Sequence, residues 1–225
     1  MRKFLLFVLV LSTLFLLAHT DHYKNYNKIE MEIFKDNEQI GESIFFFKKE
    51  NNKFIVKNKT NFNVKLLGVS IFSVNSKGME VYIGDQLISF NSETFQNDKK
   101  KFVNLIFDKK KDKFIIDGSS FQGEASKENI VGNWWNHRLL QTETQISPLS
   151  GSVKRQNIEF LGKKKIKLYE KEYEVEHFRL FSTNSNLPDD KKLNFEIWYD
   201  KKIALIVKVA YKRLGLWEYR LKTVQ

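Results

Sequence analysis

Histidine is the residue of this sequence best suited to metal or acid–base chemistry. The chain has four histidines, and His19 and His22 stand at the end of the amino-terminal apolar run. Only His137 and His177 remain in the part expected to fold, and they lie far apart in sequence. The ligands of a zinc site usually include pairs a few residues apart, and these two form no such pair. We therefore expect no metal and no cofactor.

No segment has the pattern of an activated nucleophile. The serines of 118–120 and 149–152 lack the strand, sharp turn and helix that surround the serine of G-x-S-x-G. Asp189 and Asp190 follow Pro188 in a predicted turn, where Asp is common because its side chain bonds the local backbone. Cysteine is absent, which excludes thiol catalysis and disulfides. The sequence predicts a protein that is not an enzyme and has no catalytic residue.

The segment 133–141 concentrates aromatic and basic side chains. Trp135, Arg138 and Leu139 recur at helical spacing, and Asn133 could cap the first turn, so we expect one short helix here. Rings of the closing strands could stand beside it. The candidate ligand-binding residues are Trp134, Trp135, His137, Arg138, Tyr199, Trp217 and Tyr219. Two interpretations are open: the helix plugs the sheet and its rings are core, or the rings line a cavity for an apolar ligand.

Strands must position these side chains, because alternation of apolar and polar residues dominates the chain. Phe195, Ile197 and Tyr199 fall on one face of an extended strand, with charged residues and Trp198 on the other. The pattern repeats over 205–211 and 217–221. Three such strands in a row predict an antiparallel meander with one buried and one wet face.

Similar short segments occupy most of the remaining chain, separated by turn residues. They are 28–34, 39–48, 53–64, 69–76, 87–95, 101–108, 113–117, 153–161, 166–171 and 172–181. The sequence thus predicts an all-β protein, with a large curved antiparallel sheet or a partly closed barrel and one short helix.

The amino terminus has the features of a secretory signal peptide. Arg2 and Lys3 precede an apolar run from Phe4 to Leu17, and small residues follow it. The run is short for a membrane span, which needs about 20 apolar residues. We expect residues 1–20 to be a cleaved signal peptide and residues 21–225 to form a single β-rich domain. The protein is then exported, to the periplasm of a bacterium.

The net charge of +11 comes from 38 Lys and Arg against 27 Asp and Glu. Lys supplies most of the excess, whereas Arg is preferred for bidentate phosphate recognition. We expect no nucleic-acid partner, and the lysines fit either an AT-rich genome or attraction to an anionic membrane surface. Lysine runs at 99–101, 109–111 and 163–165 are expected at hairpin turns.

The order of several short motifs resembles the exported bacterial family known as domain of unknown function 6134. The resemblance spans nearly all of the chain after the apolar run. It rests on Ile33, Asp36–Gly41, Val64–Val69, Glu80–Leu87, a central Trp, Trp198–Asp200 and Glu218–Leu221. It implies an exported β protein and no particular activity.

Two functional classes follow. The first is a non-enzymatic binding module that holds an apolar or acyl ligand, such as a lipid, in its curved sheet. The second is an envelope interaction protein that meets another envelope protein or an anionic membrane surface. An apolar cavity favours the first class, and a filled interior with a long unpaired edge strand favours the second.

Overall fold

The computed structural model describes residues 21–189 and 191–225, whose strands form one 15-stranded sheet. The predicted signal peptide lies outside the described residues. The strands are β1 Lys28–Lys35, β2 Glu38–Glu50, β3 Lys53–Leu66, β4 Val69–Ile83, β5 Gln86–Gln96, β6 Lys99–Asp108, β7 Lys113–Gly118, β8 Phe121–Ser126, β9 Ile130–Val131, β10 Thr144–Ile146, β11 Val153–Leu168, β12 Lys171–Ser182, β13 Asn194–Asp200, β14 Leu205–Lys212 and β15 Leu216–Val224. Two short 3₁₀ helices accompany them, Asp21–Asn25 and His137–Gln141.

The sheet is curved but not closed. Its strand order is β8, β7, β6, β5, β4, β3, β2, β1, β15, β14, β13, β12, β11, β10, β9. The two edge strands, β8 and β9, are joined by residues 127–129 alone, so the sheet must curl until its edges approach. The turn at 147–152 bridges the gap, because Ser92 Oγ donates to the carbonyl of Pro148 at 2.6 Å and the Ser120 N–H donates to that of Ser150 at 3.0 Å. The predicted all-β, partly closed fold is confirmed.

The core divides into three apolar clusters. The first surrounds Trp135 and includes Phe45, Phe90 and Leu105. The second contains Leu139, Leu180, Ile197 and Val209. The third contains Ile33, Phe62, Val64, Val74 and Trp217. Strands 13 to 15 form the predicted meander, with β15 returning beside β1 in antiparallel register.

The prediction of a wet outer face on this meander is wrong in part. Trp198 is 8% exposed and Glu218 is 5% exposed, although both lie on the face expected to contact solvent. The cause is the hairpin of β11 and β12, which bends across the outside of the sheet. Its turn residue Tyr169 contacts Glu32 on β1, and Lys222 lies 4.4 Å above the Tyr169 ring.

The predicted position of one lysine run is wrong, and the same hairpin shows why. Residues 163–165 were expected at a turn, but they lie within β11, which continues to Leu168. The alternation of apolar and polar residues breaks near Phe160, but a β-bulge between Phe160 and Gly162 lets the strand continue. The chain turns instead at Tyr169 and Glu170, which carry no glycine or proline signal.

The expected helix over 133–141 is also corrected. Residues 137–141 form a 3₁₀ helix, and Asn136 caps it by accepting the Arg138 N–H at 3.1 Å. Asn133 cannot serve as the cap because its side chain donates to Glu80 on β4. Trp135 precedes the helix and lies in the first cluster, whereas Leu139 lies in the second. Within the described part, no helix is long and apolar enough to span a membrane.

Candidate functional site

Trp135 fills the interior at one end of the sheet. It is 1% exposed, and four rings meet it edge-on: Tyr23, Phe47, Phe54 and Tyr82, at centroid distances of 4.9, 5.7, 6.3 and 5.9 Å. Edge-to-face contacts at these distances are favourable beyond simple burial. The segment before the 3₁₀ helix therefore acts as a plug, as expected if the rings are core.

A buried carboxylate anchors this plug. Oε1 of Glu80 accepts hydrogen bonds from Asn133 Nδ2 at 2.6 Å and Trp135 Nε1 at 2.8 Å, and Oε2 accepts one from the Tyr82 hydroxyl. Burial raises the pKa of Glu80, and these three donors oppose the rise only in part. Three of the roughly four lone-pair positions of the carboxylate thus accept hydrogen bonds that hold the plug in place.

His137 extends the plug through a second buried contact. Its Nδ1 lies 2.7 Å from the Tyr23 hydroxyl, which also accepts the His137 backbone N–H at 3.1 Å. The Tyr199 ring stacks on the imidazole at 5.2 Å. Burial raises the pKa of Tyr23, so its hydroxyl stays neutral at physiological pH.

The remaining candidates lie apart from this plug or at its margin. Trp134 packs against Phe195 at 5.1 Å and Tyr219 at 6.1 Å. Trp217 belongs to the third cluster, where it meets Phe62 at 5.5 Å. The structure thus brings Trp134, Trp135, His137, Tyr199 and Tyr219 into one neighbourhood and separates Trp217 from it.

Arg138 differs from the other candidates because it lines a cavity. The cavity has a volume of about 200 Å³ and lies where the turn at 84–86, the connection 127–129 and the 3₁₀ helix meet. Its lining is mainly polar: Tyr82, Asp85, Gln86, Leu87, Lys127, Glu128, Asn129, Ile130, Asn136 and Arg138. We call this the seam cavity, since residues 127–129 join the two sheet edges there.

Hydroxyl groups cross the inner face between the first and third clusters. Ser43 pairs with Thr60 at 2.8 Å, and Ser76 pairs with Thr94 at 2.6 Å. Each hydroxyl bonds its cross-strand neighbour, which satisfies it in the buried interior. This row stabilises the sheet and presents no serine bonded to an imidazole.

His177 has a structural environment on the outer face. Its ring stacks on Trp198 at 4.5 Å, and its Nε2 lies 2.9 Å from Glu196. Burial, with the nearby Lys164, lowers the pKa of His177. Among the described residues no group of three or more His, Asp or Glu could hold a metal ion.

An exposed apolar hairpin is the surface feature that the sequence interpretation missed. Leu66, Leu67, Val69 and Ile71 at the β3–β4 turn are 61, 97, 66 and 52% exposed. The sequence did contain a signal for this exposed apolar turn, because Leu67 and Gly68 form a turn without any polar residue. Glu80 was also missed, although it alternates with Ser76 and Gly78 on the same side of β4 as Val74.

The geometry defines a barrel-like, incompletely closed β protein with a plugged interior. Residues 31–222 match the family described as Domain of unknown function (DUF6134), and the chain belongs to that family, as its motifs predicted. Comparison with curated protein sequences gives no match.

Among solved structures, the chain is similar to the crystal structure of a β-barrel-like protein of domain of unknown function DUF1849 from Brucella abortus. The two share 7% sequence identity with a TM-score of 0.62, over 88% of this chain and 96% of the other. At this identity the likeness concerns the fold alone.

Proposed function

We propose that this protein is an exported, non-enzymatic binding module of the bacterial envelope that attaches to an anionic membrane surface. Its apolar ligand is then the acyl chains of that membrane, contacted by the β3–β4 hairpin. The observation that carries the proposal is the exposed turn of this hairpin.

The hairpin projects beyond its neighbours in the sheet. β2 pairs with β3 no further than Phe62, and β5 pairs with β4 only from Val74 onward. Residues 63–73 are therefore two-stranded, and their base is held by the Phe72 ring against Trp217 at 6.3 Å. A two-stranded ribbon is only marginally stable alone, so its apolar turn gains from a partner.

The backbone of the turn strengthens this argument. Leu67 has φ of 51° and is 97% exposed, and Leu214 in the β14–β15 turn has φ of 50° and is 92% exposed. Asn, Asp and Gly adopt this left-handed conformation at least cost. Two leucines held there in solvent stabilise nothing in the isolated fold, and burial in a bilayer would offset their cost.

Both turns lie at the same end of the sheet. The Phe72 ring near the β3–β4 turn contacts the Trp217 ring near the β14–β15 turn, and Asp36 at the end of β1 hydrogen-bonds the start of β15. Basic residues flank the leucines in sequence, with Lys65 in β3 two residues before Leu67, and with Lys212 and Arg213 before Leu214. Such residues are attracted to anionic headgroups while neighbouring leucines enter the acyl region. Charge and apolar exposure therefore favour the same occupant.

A ligand enclosed within the sheet has less support. The plug around Trp135 occupies the interior at the other end, and the seam cavity is small and mainly polar. Pairing of a protein partner with a sheet edge also has less support, since β8 has six residues and β9 has two.

Vesicle flotation tests the proposal. The purified protein is mixed with vesicles of phosphatidylcholine or of an equal mixture with phosphatidylglycerol. We expect flotation with the anionic vesicles, weakened when ionic strength rises from about 0.1 M to 1 M because screening shortens from about 10 Å to 3 Å. The double variant Leu67→Asn with Leu214→Asn should bind at least about tenfold more weakly, since burying each Leu is worth about 1.5–3 kcal/mol.

The matched control is Ile106→Thr, which removes an apolar side chain that is 61% exposed on β6, away from this end. It should float like the wild type. Absence of flotation with anionic vesicles, or an equal loss in the control, contradicts the proposal. Capture of a protein by the hairpin with no vesicle binding would favour the envelope-protein alternative.

Export is tested separately by intact mass. Protein recovered from the host envelope should lack residues 1–18 or 1–20. Retention of these residues would mean that the segment anchors the protein.

A further inference from the structure

Two lysines face each other on the outer side of the sheet. Lys59 on β3 and Lys77 on β4 are directly opposite in the antiparallel register, and both are exposed. Like charges at opposite positions repel each other and destabilise a sheet. Neither lysine forms an ion pair with a carboxylate of residues 21–189 and 191–225, and the contact of Lys59 with the Phe46 ring is distant, at 6.0 Å. An anion bound between the two lysines would remove their repulsion.

The acids on this face do not neutralise the lysines. Glu93 on β5 stands opposite Lys77, but its carboxylate bonds Lys100 instead. Glu42 on β2 forms no ion pair within the described part of the chain, and Lys57 adds a third lysine without a carboxylate partner there. The outer face of β3 and β4 therefore keeps an excess of positive charge, which attracts an anion.

A groove of about 710 Å³ begins at Lys77 and crosses β4, β5 and β6. Apolar and amide side chains line it together, with Met79 and Phe102 beside Asn91 and Asn104. Asn91 Nδ2 donates to Asn104 Oδ1 at 3.0 Å, which leaves the Asn91 oxygen as an acceptor and the Asn104 amide as a donor at the surface. Hydroxyl groups both donate and accept, and the C–H face of a sugar ring is apolar, so this lining suits a sugar.

We propose that this groove binds an acidic polysaccharide. Its carboxylates pair with Lys59 and Lys77, and its sugar rings lie on Met79 and Phe102. Neighbouring strands are about 4.8 Å apart, so the site from β3 to β6 spans about 14 Å and takes an extended chain. A nucleic acid fits less well, because single strands bind to successive stacked rings and arginines, whereas the described lining of the groove has one aromatic side chain and no arginine.

The groove is separate from the turns that are proposed to contact the membrane. Lys77 follows Val69, the first residue of β4 after the β3–β4 turn, by eight residues. Eight residues of extended chain span about 26 Å, which is more than twice the screening length of about 10 Å at 0.1 M salt. Removing the charges of Lys59 and Lys77 should therefore leave vesicle flotation unchanged.

Isothermal titration calorimetry with a short alginate oligosaccharide, whose sugars each carry a carboxylate, tests the site in the purified protein. A dextran oligosaccharide of equal length and an oligoglutamate of equal charge are the matched probes, since each offers only the sugar rings or only the carboxylates. We expect the protein to bind alginate and to bind both matched probes more weakly. The double variant Lys59→Gln with Lys77→Gln should bind alginate at least about tenfold more weakly, because it removes two charge-assisted contacts.

The control is Lys110→Gln with Lys202→Gln, which removes the same charge from two exposed turn positions outside the groove and should leave alginate binding unchanged. Thermal unfolding checks that both double variants are folded. No alginate binding by the wild type, equally tight binding of oligoglutamate or of an oligothymidylate, or equal losses in the two double variants would each overturn the proposal. Lost flotation of the Lys59 and Lys77 variant would also overturn it, since these lysines would then belong to the membrane-binding surface.

Discussion

Trp135 links the plug to the sheet through both packing and a hydrogen bond. Trp135→Ala removes a side chain that is 1% exposed and leaves Glu80 with one donor fewer. We expect a loss of about 3–5 kcal/mol in the free energy of unfolding, measured by chemical denaturation. Trp134→Ala is the control, since Trp134 is only partly buried and should cost less. Equal losses in the two variants would mean that Trp135 is not the anchor of the plug.

The raised pKa of Glu80 predicts that the stability of the protein depends on pH. Burial raises its pKa in the folded protein above the unfolded value of about 4.3. The folded state then binds the proton more tightly, so this contribution to stability is complete below the unfolded pKa and is lost as pH rises through the folded pKa. Glu80→Gln keeps an acceptor for Asn133 and Trp135 and does not titrate.

The unfolding temperature of Glu80→Gln should therefore rise relative to that of the wild type as pH increases from about 4 to 8. Thermal unfolding at several pH values measures the difference. A difference that stays constant across this range would show that Glu80 keeps an ordinary pKa in the folded state.

At the scale of single residues, the sequence identified side chains but not their partners. Trp135 and His137 were selected because rings cluster there, and both are buried. Their contacts with Glu80 and Tyr23 join residues far apart in the chain, and alternation cannot reveal such pairs. Alternation does place Glu80 on one face of β4, but only the assembled sheet shows that this face is the inner one.

At the scale of the elements, a substitution in the β3–β4 turn should change membrane binding without lowering the stability of the fold. Leu67 adopts a left-handed backbone conformation that Asn tolerates better, and its side chain contributes almost no buried area. Leu67→Asn should leave the free energy of unfolding unchanged or raise it by up to about 1 kcal/mol, while it weakens vesicle binding. Chemical denaturation without vesicles is the measurement. A clear loss of stability would show that Leu67 packs within the fold and would remove the reason for assigning it to a membrane.

The strands were more predictable than the plug because their signal is local. The closing meander follows from alternation within each strand, and its bounds agree with β13, β14 and β15 to within a few residues. The 3₁₀ helix was misjudged because the Asn133 side chain serves a distant carboxylate instead of the local backbone. The turn at Tyr169 was missed because its residues carry no turn preference, and tertiary packing against Glu32 fixes it instead.

For the whole molecule, the strand order places the two ends of the described chain at the middle of the sheet. β1 and β15 are adjacent, and the Gln225 N–H donates to the Lys28 carbonyl at 2.9 Å. The sheet edges come instead from the centre of the sequence, at β8 and β9. Removing the last strand would therefore open the sheet at its middle and delete Trp217 and Leu221, both buried.

This connectivity predicts that residues 21–225 unfold as one cooperative unit, the expected single domain. Two halves divided near the middle of the chain would each lack the partner of a central strand, so neither should persist when the other melts. Far-ultraviolet circular dichroism reports the strands, and tryptophan fluorescence reports the first and third clusters through Trp135 and Trp217. The two unfolding curves in urea should coincide, and a variant ending at Gly215, which also lacks Trp217, should show no cooperative transition by circular dichroism. Separate transitions, or a folded truncated variant, would mean that the sheet is stabilised in independent parts despite its continuous register.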